Sequence, residues 1–126
     1  MFNPFSSIAF AFIQKFLNYF MDIKEYQLLT RKTAIYPQET FLEYLTLGLA
    51  SEAGEVSGVV KKYIRKDNDL DTAKEKLIKE LGDVMWYWAR LCDELDLNPE
   101  EVMEKNINKL LNRQANNTLQ GDGDDR

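Results

Sequence analysis

Residues 45–63 read LTLGLASEAGEVSGVVKKY, and this stretch decides the fold. When it is wound as a helix at about 100° per residue, five apolar side chains fall within about 60° of Glu52. Those side chains are Leu45, Leu49, Val56, Val59 and Tyr63. The stretch therefore predicts an amphipathic helix from about Glu39 to Arg65, whose core-facing stripe contains Glu52 and carries Glu55 at its edge.

A second acidic pair, Glu80 with Asp83, occurs in the same setting on the next predicted helix. Five apolar side chains surround Glu80, and Asp83 lies one turn further on, at the edge of the stripe. These side chains are Ala73, Leu77, Val84, Tyr87 and Leu91. We therefore expect both acidic pairs to face the same interior.

The segments on either side of the 45–63 stretch also show helix signals. Asp22 followed by Glu25 forms a capping-box pattern, which opens a helix that runs to about Ala34. Tyr36-Pro37 then ends that helix, because a residue before proline is pushed out of the helical region. Lys66-Asp67-Asn68-Asp69 is a polar linker that separates the second predicted helix from the third.

The third and fourth predicted helices begin at recognisable caps. Asp71 or Thr72 caps the third helix, which runs to about Leu95. Asn98, with proline at the next position, begins a fourth helix that ends near Arg113. The chain shows no period-2 strand and no glycine-rich phosphate loop. The predicted fold class is therefore all-α and resembles a four-helix bundle.

Composition narrows the chemistry of the chain. Its 126 residues include 16 basic and 21 acidic side chains, which gives a formal net charge of −5. We expect one soluble domain, and the acidic balance argues against a nucleic-acid partner. With no histidine and only Cys92, the chain lacks the residues of a zinc site, a His-based catalytic group or an intrachain disulfide. We expect Cys92 to be buried, in a reducing cytoplasmic compartment.

Both ends of the chain differ in composition from its middle. Residues 1–21 contain six of the seven phenylalanines, and their periodicity predicts an amphipathic N-terminal helix. Three interpretations of this extension stay open. It packs on the domain or on a second subunit, it is a dispensable addition from a start codon upstream of Met21, or it binds a membrane surface. It lacks the features of a signal peptide or a bilayer span. The domain is predicted at 22–114, followed by a polar tail at 115–126.

Four carboxylates that converge in an apolar interior repel one another and resist ionisation. The physical remedies are protonation, cationic side chains or a metal ion. Oxygen-only ligands favour a hard cation, and Mg²⁺ fits best, with Mn²⁺ close behind. The sequence therefore predicts a divalent-metal site at Glu52, Glu55, Glu80 and Asp83.

These residues resemble a known family. Leu49-Ala-Ser-Glu-Ala-Gly-Glu55, followed by Glu80-Leu-Gly-Asp83, is similar to the Glu-x-x-Glu and Glu-x-x-Asp signature of the MazG-like nucleoside triphosphate pyrophosphohydrolases. These enzymes belong to the all-α NTP pyrophosphatase superfamily. The likeness spans about residues 22–126 and continues in Asn106-Ile-Asn-Lys109, Arg113 and the tail Gly121-Asp-Gly-Asp-Asp-Arg126. Ser51 stands where the family signature commonly has another glutamate.

The resemblance implies Mg²⁺-dependent hydrolysis between the α- and β-phosphates of a nucleoside triphosphate, ribo or deoxyribo, in nucleotide-pool housekeeping. The products are a monophosphate and pyrophosphate. Relatives form dimers or tetramers, so the resemblance also implies a homo-oligomer. It implies that the four carboxylates bind metal and that one of the first pair, Glu52 or Glu55, is the catalytic base. The residues that it implies for substrate binding are Tyr87, Asn106, Lys109 and Arg113.

Two other interpretations stay open at this point. One is a non-catalytic acidic helical interaction protein that uses the Phe-rich segment as its docking element. The other, within enzymes, is a helical dUTPase or a phosphoribosyl-ATP pyrophosphohydrolase. The inward aim of both acidic pairs favours an enzyme, because a scaffold protein would be destabilised by it in the absence of metal.

Overall fold

The computed structural model describes residues 21–125. They form four α-helices and two short 3-10 helices, with no strand among the described residues. The α-helices are α1 (Ile23–Thr30), α2 (Phe41–Ile64), α3 (Leu70–Glu94) and α4 (Pro99–Ala115), and the 3-10 helices are Arg31–Thr33 and Gln38–Thr40. The predicted all-α class with four helices is thus confirmed, while the predicted N-terminal helix lies outside the described residues. No helix within 21–125 is long and apolar enough to cross a bilayer.

Helices α2 and α3 form the main packed pair, and α1 and α4 lie against α3 and against each other. The buried apolar side chains are Leu45, Val59, Ala73, Ala89 and Cys92. Three of them, Leu45, Val59 and Ala73, belong to the stripes predicted around Glu52 and Glu80, whereas Ala89 and Cys92 lie outside the stripe predicted on α3, so the periodicity identified only part of the core. Tyr63, at the far end of the first stripe, is instead 40% exposed. Cys92 is buried as predicted, and burial raises the pKa of its thiol.

Helix starts follow local capping chemistry. Asp22 accepts a hydrogen bond from the backbone N–H of Glu25, and Asn98 accepts one from the N–H of Glu100, as the sequence predicted. The predicted cap of α3 at Asp71 or Thr72 is wrong. Asp69 holds the extended cap conformation and accepts from the N–H of Thr72 at 2.8 Å, so the helix begins earlier.

A buried arginine joins α3 to the connection between α1 and α2. The Arg90 side chain is 4% exposed and donates to Asp93 at 2.6 Å, to Glu94 at 2.8 Å and to the Tyr36 hydroxyl at 3.0 Å. Tyr36 donates in turn to Glu94, and Arg31 binds Asp93 through two nitrogens at 2.6 and 2.8 Å. We call these five residues the Arg90 network. It fixes the 31–36 connection against the end of α3.

Candidate active site

Two helices bring three carboxylates together. Glu52 on α2 and Glu80 and Asp83 on α3 each offer an oxygen, and these oxygens lie within 4.8 Å of one another. Glu80 and Asp83 are one turn apart on α3, which places both side chains on the face that meets α2. We call Glu52, Glu80 and Asp83 the acidic cluster. The structure therefore assembles three of the four carboxylates that the sequence singled out.

Glu55 does not join this group. It lies one turn beyond Glu52 on α2, and its side chain is exposed. Its charge nevertheless reaches the cluster, since Glu55 contributes to the raised pKa of Glu52. Glu55 lies at the margin of its helical stripe, as the sequence predicted, but this position alone does not decide the outcome, since Asp83 is also exposed and still joins the cluster.

The acidic cluster is electrostatically uncompensated. Burial raises the pKa of Glu52, and the charges of Asp83, Glu80 and Glu55 raise it further. Among residues 21–125, no lysine or arginine forms an ion pair with any of the three carboxylates. Like charges held this close destabilise the ionised state unless a cation sits between them. The arrangement suits a divalent ion with oxygen ligands.

Tyrosine rings border the acidic cluster on two sides. Burial raises the pKa of Tyr87 on α3, and the Glu52 charge is among the further causes. Burial also raises the pKa of Tyr26 on α1, with Asp83 as the second cause. Gly48 makes the Tyr87 position possible, because a Cβ at residue 48 would overlap the Tyr87 ring. Tyr87 therefore packs against α2 at Gly48, where the charge of Glu52 acts on its hydroxyl group.

Further aromatic rings continue from Tyr87 away from the cluster. The Trp86 ring meets Tyr87 edge-on at 5.0 Å between centroids and meets Tyr36 at 6.3 Å. Tyr36 stacks on Tyr44 at 5.7 Å. The Trp86 indole N–H donates to the Thr33 hydroxyl at 2.8 Å, which fixes the ring. Through Tyr36 these rings connect the acidic cluster to the Arg90 network.

The basic residues of α4 contact the C-terminal tail rather than the acidic cluster. Lys109 donates to the Asp124 carboxylate at 3.2 Å. Arg113 donates to the same carboxylate at 3.2 Å and to the backbone carbonyls of Gly123 and Asp124. Asn106, the remaining predicted substrate contact on this helix, is exposed. The sequence predicted only a polar tail, and the contact of the tail with α4 was missed. Two cations four residues apart, followed by an acidic tail, could have indicated it.

Comparison with known proteins agrees with this arrangement. The family model of the MazG nucleotide pyrophosphohydrolase domain matches residues 40–118, which include the acidic cluster and the basic positions of α4. A "Gene 37 protein" of Mycobacterium phage L5 is 40% identical over 114 residues, covering 84% of this chain and 100% of that protein. No solved structure matches the chain. Both matches extend over most of the described residues, and the chain belongs to the MazG nucleotide pyrophosphohydrolase domain family.

Proposed function

We propose that this chain hydrolyses nucleoside triphosphates between the α- and β-phosphates, releasing a nucleoside monophosphate and pyrophosphate, as a nucleotide-pool housekeeping enzyme. The observation that carries the proposal is the acidic cluster. Oxygens of three carboxylates from two helices lie within 4.8 Å of one another, and no lysine or arginine among the described residues forms an ion pair with them. A folded protein gains nothing from such repulsion unless a bound cation offsets it, and a MazG domain supplies nucleotide pyrophosphohydrolase activity in general.

The donor set fits a hard divalent cation. All the ligand atoms are carboxylate oxygens and the chain contains no histidine, and this favours Mg²⁺, with Mn²⁺ as the next choice. Glu52, Glu80 and Asp83 would hold the ion, and Glu55 would join them through a turn of its exposed side chain or through water. When bound, the cation would offset the charge of the triphosphate and lower the pKa of a coordinated water molecule.

The protein side chains take the remaining roles. Glu52 or the neighbouring Glu55 accepts the proton of the attacking water. Tyr87 lies beside Glu52, where it can orient the sugar or a phosphate. Asn106 on α4 adds a hydrogen-bonding amide for the same substrate.

Lys109 and Arg113 are proposed to neutralise phosphate charge. Met85 on α3 and Met103 on α4 line the same groove, and a short connection joins the two helices. Since neighbours with a short connection run antiparallel, six residues forward in α4 match six residues back in α3. The later residues of α4, Lys109 and Arg113, therefore lie on the part of the helix that runs back toward the middle of α3, where Glu80 and Asp83 lie.

We propose that the chain forms a homodimer or homotetramer in the cytoplasm. Apolar side chains stand exposed on α3 and α4, more than such a small domain would leave uncovered. They include Ile78 at 73%, Leu81 at 53%, Met103 at 50%, Ile107 at 51% and Leu111 at 54% exposed. A second copy that covers these faces would bury them. Sedimentation velocity at micromolar concentration tests this, and a strict monomer would contradict it.

The enzyme domain is proposed to occupy residues 22–114, because every proposed site residue lies within them. Residues 1–21 would then be an extension and residues 115–126 a tail. A chain that begins at Met21 is expected to keep its metal-dependent activity. If this shorter chain folds and assembles normally but is inactive, the extension contributes to the site.

The proposed reaction is tested with a panel of ribo- and deoxyribonucleoside triphosphates and phosphoribosyl-ATP in the presence of Mg²⁺, with pyrophosphate and orthophosphate measured separately. We expect pyrophosphate as the inorganic product. Orthophosphate alone would mean cleavage at another phosphate, and no turnover on any nucleotide would favour an interaction protein. Activity confined to dUTP or to phosphoribosyl-ATP would assign the chain to one of those related enzymes.

A further inference from the structure

The C-terminal segment folds back over the last turns of α4. Residues 117–125, which we call the strap, begin where Asn117 adopts a positive φ of 57° and Thr118 donates its N–H to the Arg113 carbonyl at 2.8 Å. The strap then passes over the Arg113 side chain, which is only 6% exposed. The Asp124 carboxylate lies at 3.2 Å from both the Lys109 and the Arg113 nitrogens. An internal anion thus lies on the two cations assigned above to phosphate.

The strap satisfies only some of the hydrogen-bond donors of the Arg113 guanidinium. All three of the Arg113 hydrogen bonds come from Nη2, and the adjacent Nε is buried without a partner among the described residues. Arg31 shows what the same edge of a guanidinium does with a full partner, because its Nε and Nη2 bind the two oxygens of Asp93 at 2.8 and 2.6 Å. A buried donor without an acceptor is costly. A phosphate group has the oxygens to satisfy both nitrogens at once.

The ion pairs of Asp124 with Lys109 and Arg113 are also weak. The Asp124 side chain is 84% exposed, and an ion pair in such a position contributes little to stability because water and salt screen it. The strap around it forms bends and turns rather than a helix, and Gly121 and Gly123 hold positive φ angles of 135° and 84°. A triphosphate or pyrophosphate brings several negative charges where Asp124 brings one, so the polyanion competes well.

We propose that the strap is an autoinhibitory latch: Asp124 occupies Lys109 and Arg113 in the ligand-free chain, and a phosphate group of the bound ligand displaces it. The inference rests on the proposed function, since it uses the assignment of these two residues to phosphate. In this mechanism Asp124 sets how tightly the site takes a polyanion. Displacement of the strap frees the Nε–Nη2 edge of Arg113 to bind the ligand.

The test measures binding of inorganic pyrophosphate to the full-length, Mg²⁺-loaded protein by isothermal titration calorimetry. Asp124→Asn is compared with Asp125→Asn, which removes the same charge from the same strap at a residue that pairs with neither cation. We expect Asp124→Asn to bind pyrophosphate about two- to fivefold more tightly than wild type, and Asp125→Asn to bind like wild type. In hydrogen exchange, the amides of residues 117–125 should exchange faster once pyrophosphate is added to the wild-type protein.

The opposite results would overturn the latch. They are equal affinities of the two variants, weaker or absent binding to Asp124→Asn, or slower exchange of the strap with pyrophosphate. Nucleotide turnover measured in parallel separates the two proposals. If nucleotides are hydrolysed and the two variants bind pyrophosphate equally well, the proposed enzyme activity stands and the latch is rejected. Tighter pyrophosphate binding by Asp124→Asn, with no nucleotide hydrolysed, would retain the latch and reject the enzyme.

Discussion

Helix α3 carries carboxylates in two regions that are built in opposite ways. In its middle, Glu80 and Asp83 meet Glu52 with no cationic side chain paired to them among the described residues. Near its end, Asp93 and Glu94 are bound by Arg90 and Arg31 and by the Tyr36 hydroxyl. The pKa directions follow this division, since pairing lowers the pKa of Asp93 and Glu94, whereas burial and like charge raise that of Glu52.

The difference separates a structural use of buried charge from a functional one. The Arg90 network satisfies its carboxylates internally, so its contribution is stability of the chain itself. The acidic cluster has no cationic partner among the described residues, and under the proposed function a metal ion supplied from outside stabilises it. Acidic residues three or four positions apart on a helix do not distinguish the two cases, and the decisive feature is whether a cation packs against them.

The largest effect on stability is expected at the centre of the Arg90 network. Arg90→Met leaves Asp93 and Glu94 partly buried without the buried guanidinium that they share, which should cost about 3–5 kcal/mol of unfolding free energy. Urea denaturation followed by circular dichroism measures this. The control is Arg65→Met, which removes an exposed ion pair with Asp67 and should cost at most about 1 kcal/mol. Equal losses in the two variants would mean that the Arg90 network stabilises the chain no more than an exposed ion pair does.

A smaller effect is expected at the close contact beside the acidic cluster. Gly48→Ala forces the Tyr87 ring away from α2 and should cost about 1–3 kcal/mol through overpacking, together with a loss of nucleotide turnover. Gly58→Ala, on the same helix with nothing within 4 Å of the added Cβ, should instead stabilise the protein by about 0.5–1 kcal/mol. Thermal melting and steady-state kinetics measure both. If Gly48→Ala is active and stable, Tyr87 does not depend on this contact.

The smallest expected effects are changes in how stability depends on pH, and they sharpen the comparison of the two regions. The Arg31 hydrogen bond, followed by Arg90, lowers the pKa of Asp93, so its contribution is present above the ordinary carboxyl range and is lost as pH falls through the lowered value, below about pH 4. Asp93→Asn should therefore flatten the acid limb of a plot of melting temperature against pH. Glu52 has the opposite sign, because its raised pKa makes ionisation destabilising. In the presence of a chelator, Glu52→Gln should become more stable than wild type only as the pH rises above the range in which an ordinary glutamate ionises.

Local chemistry explains what the sequence predicted well. The stripe around Glu52 and the cap at Asn98 depend on neighbours within one or two helical turns, so spacing alone reveals them. The cap of α3 was misplaced because Asp69 and Asp71 both offer a carboxylate. The choice depends on the backbone before them, where Lys66 takes a positive φ of 66° at the end of α2.

Long-range pairing explains what the sequence did not reveal. The contact of Arg90 with Tyr36 joins residues 54 positions apart, and no periodicity encodes such a distance. The Asp124 contacts with α4 depend on a tail that turns back after the helix ends. Glu55 marks an intermediate case, because its edge position was predicted and only the packed structure shows that its carboxylate stays outside the acidic cluster.

We propose that the acidic cluster is held together for a metal ion and not for stability. The most direct measurement is the melting temperature of Glu52→Gln and Asp83→Asn in chelator and in Mg²⁺, with pyrophosphate release assayed alongside. Glu43→Gln, an exposed carboxylate on α2, is the control. We predict loss of about 100-fold or more in pyrophosphate release, a chelated melting temperature no lower than wild type, and a smaller gain with Mg²⁺. A lower chelated melting temperature, an unchanged response to Mg²⁺ and intact catalysis would contradict the claim.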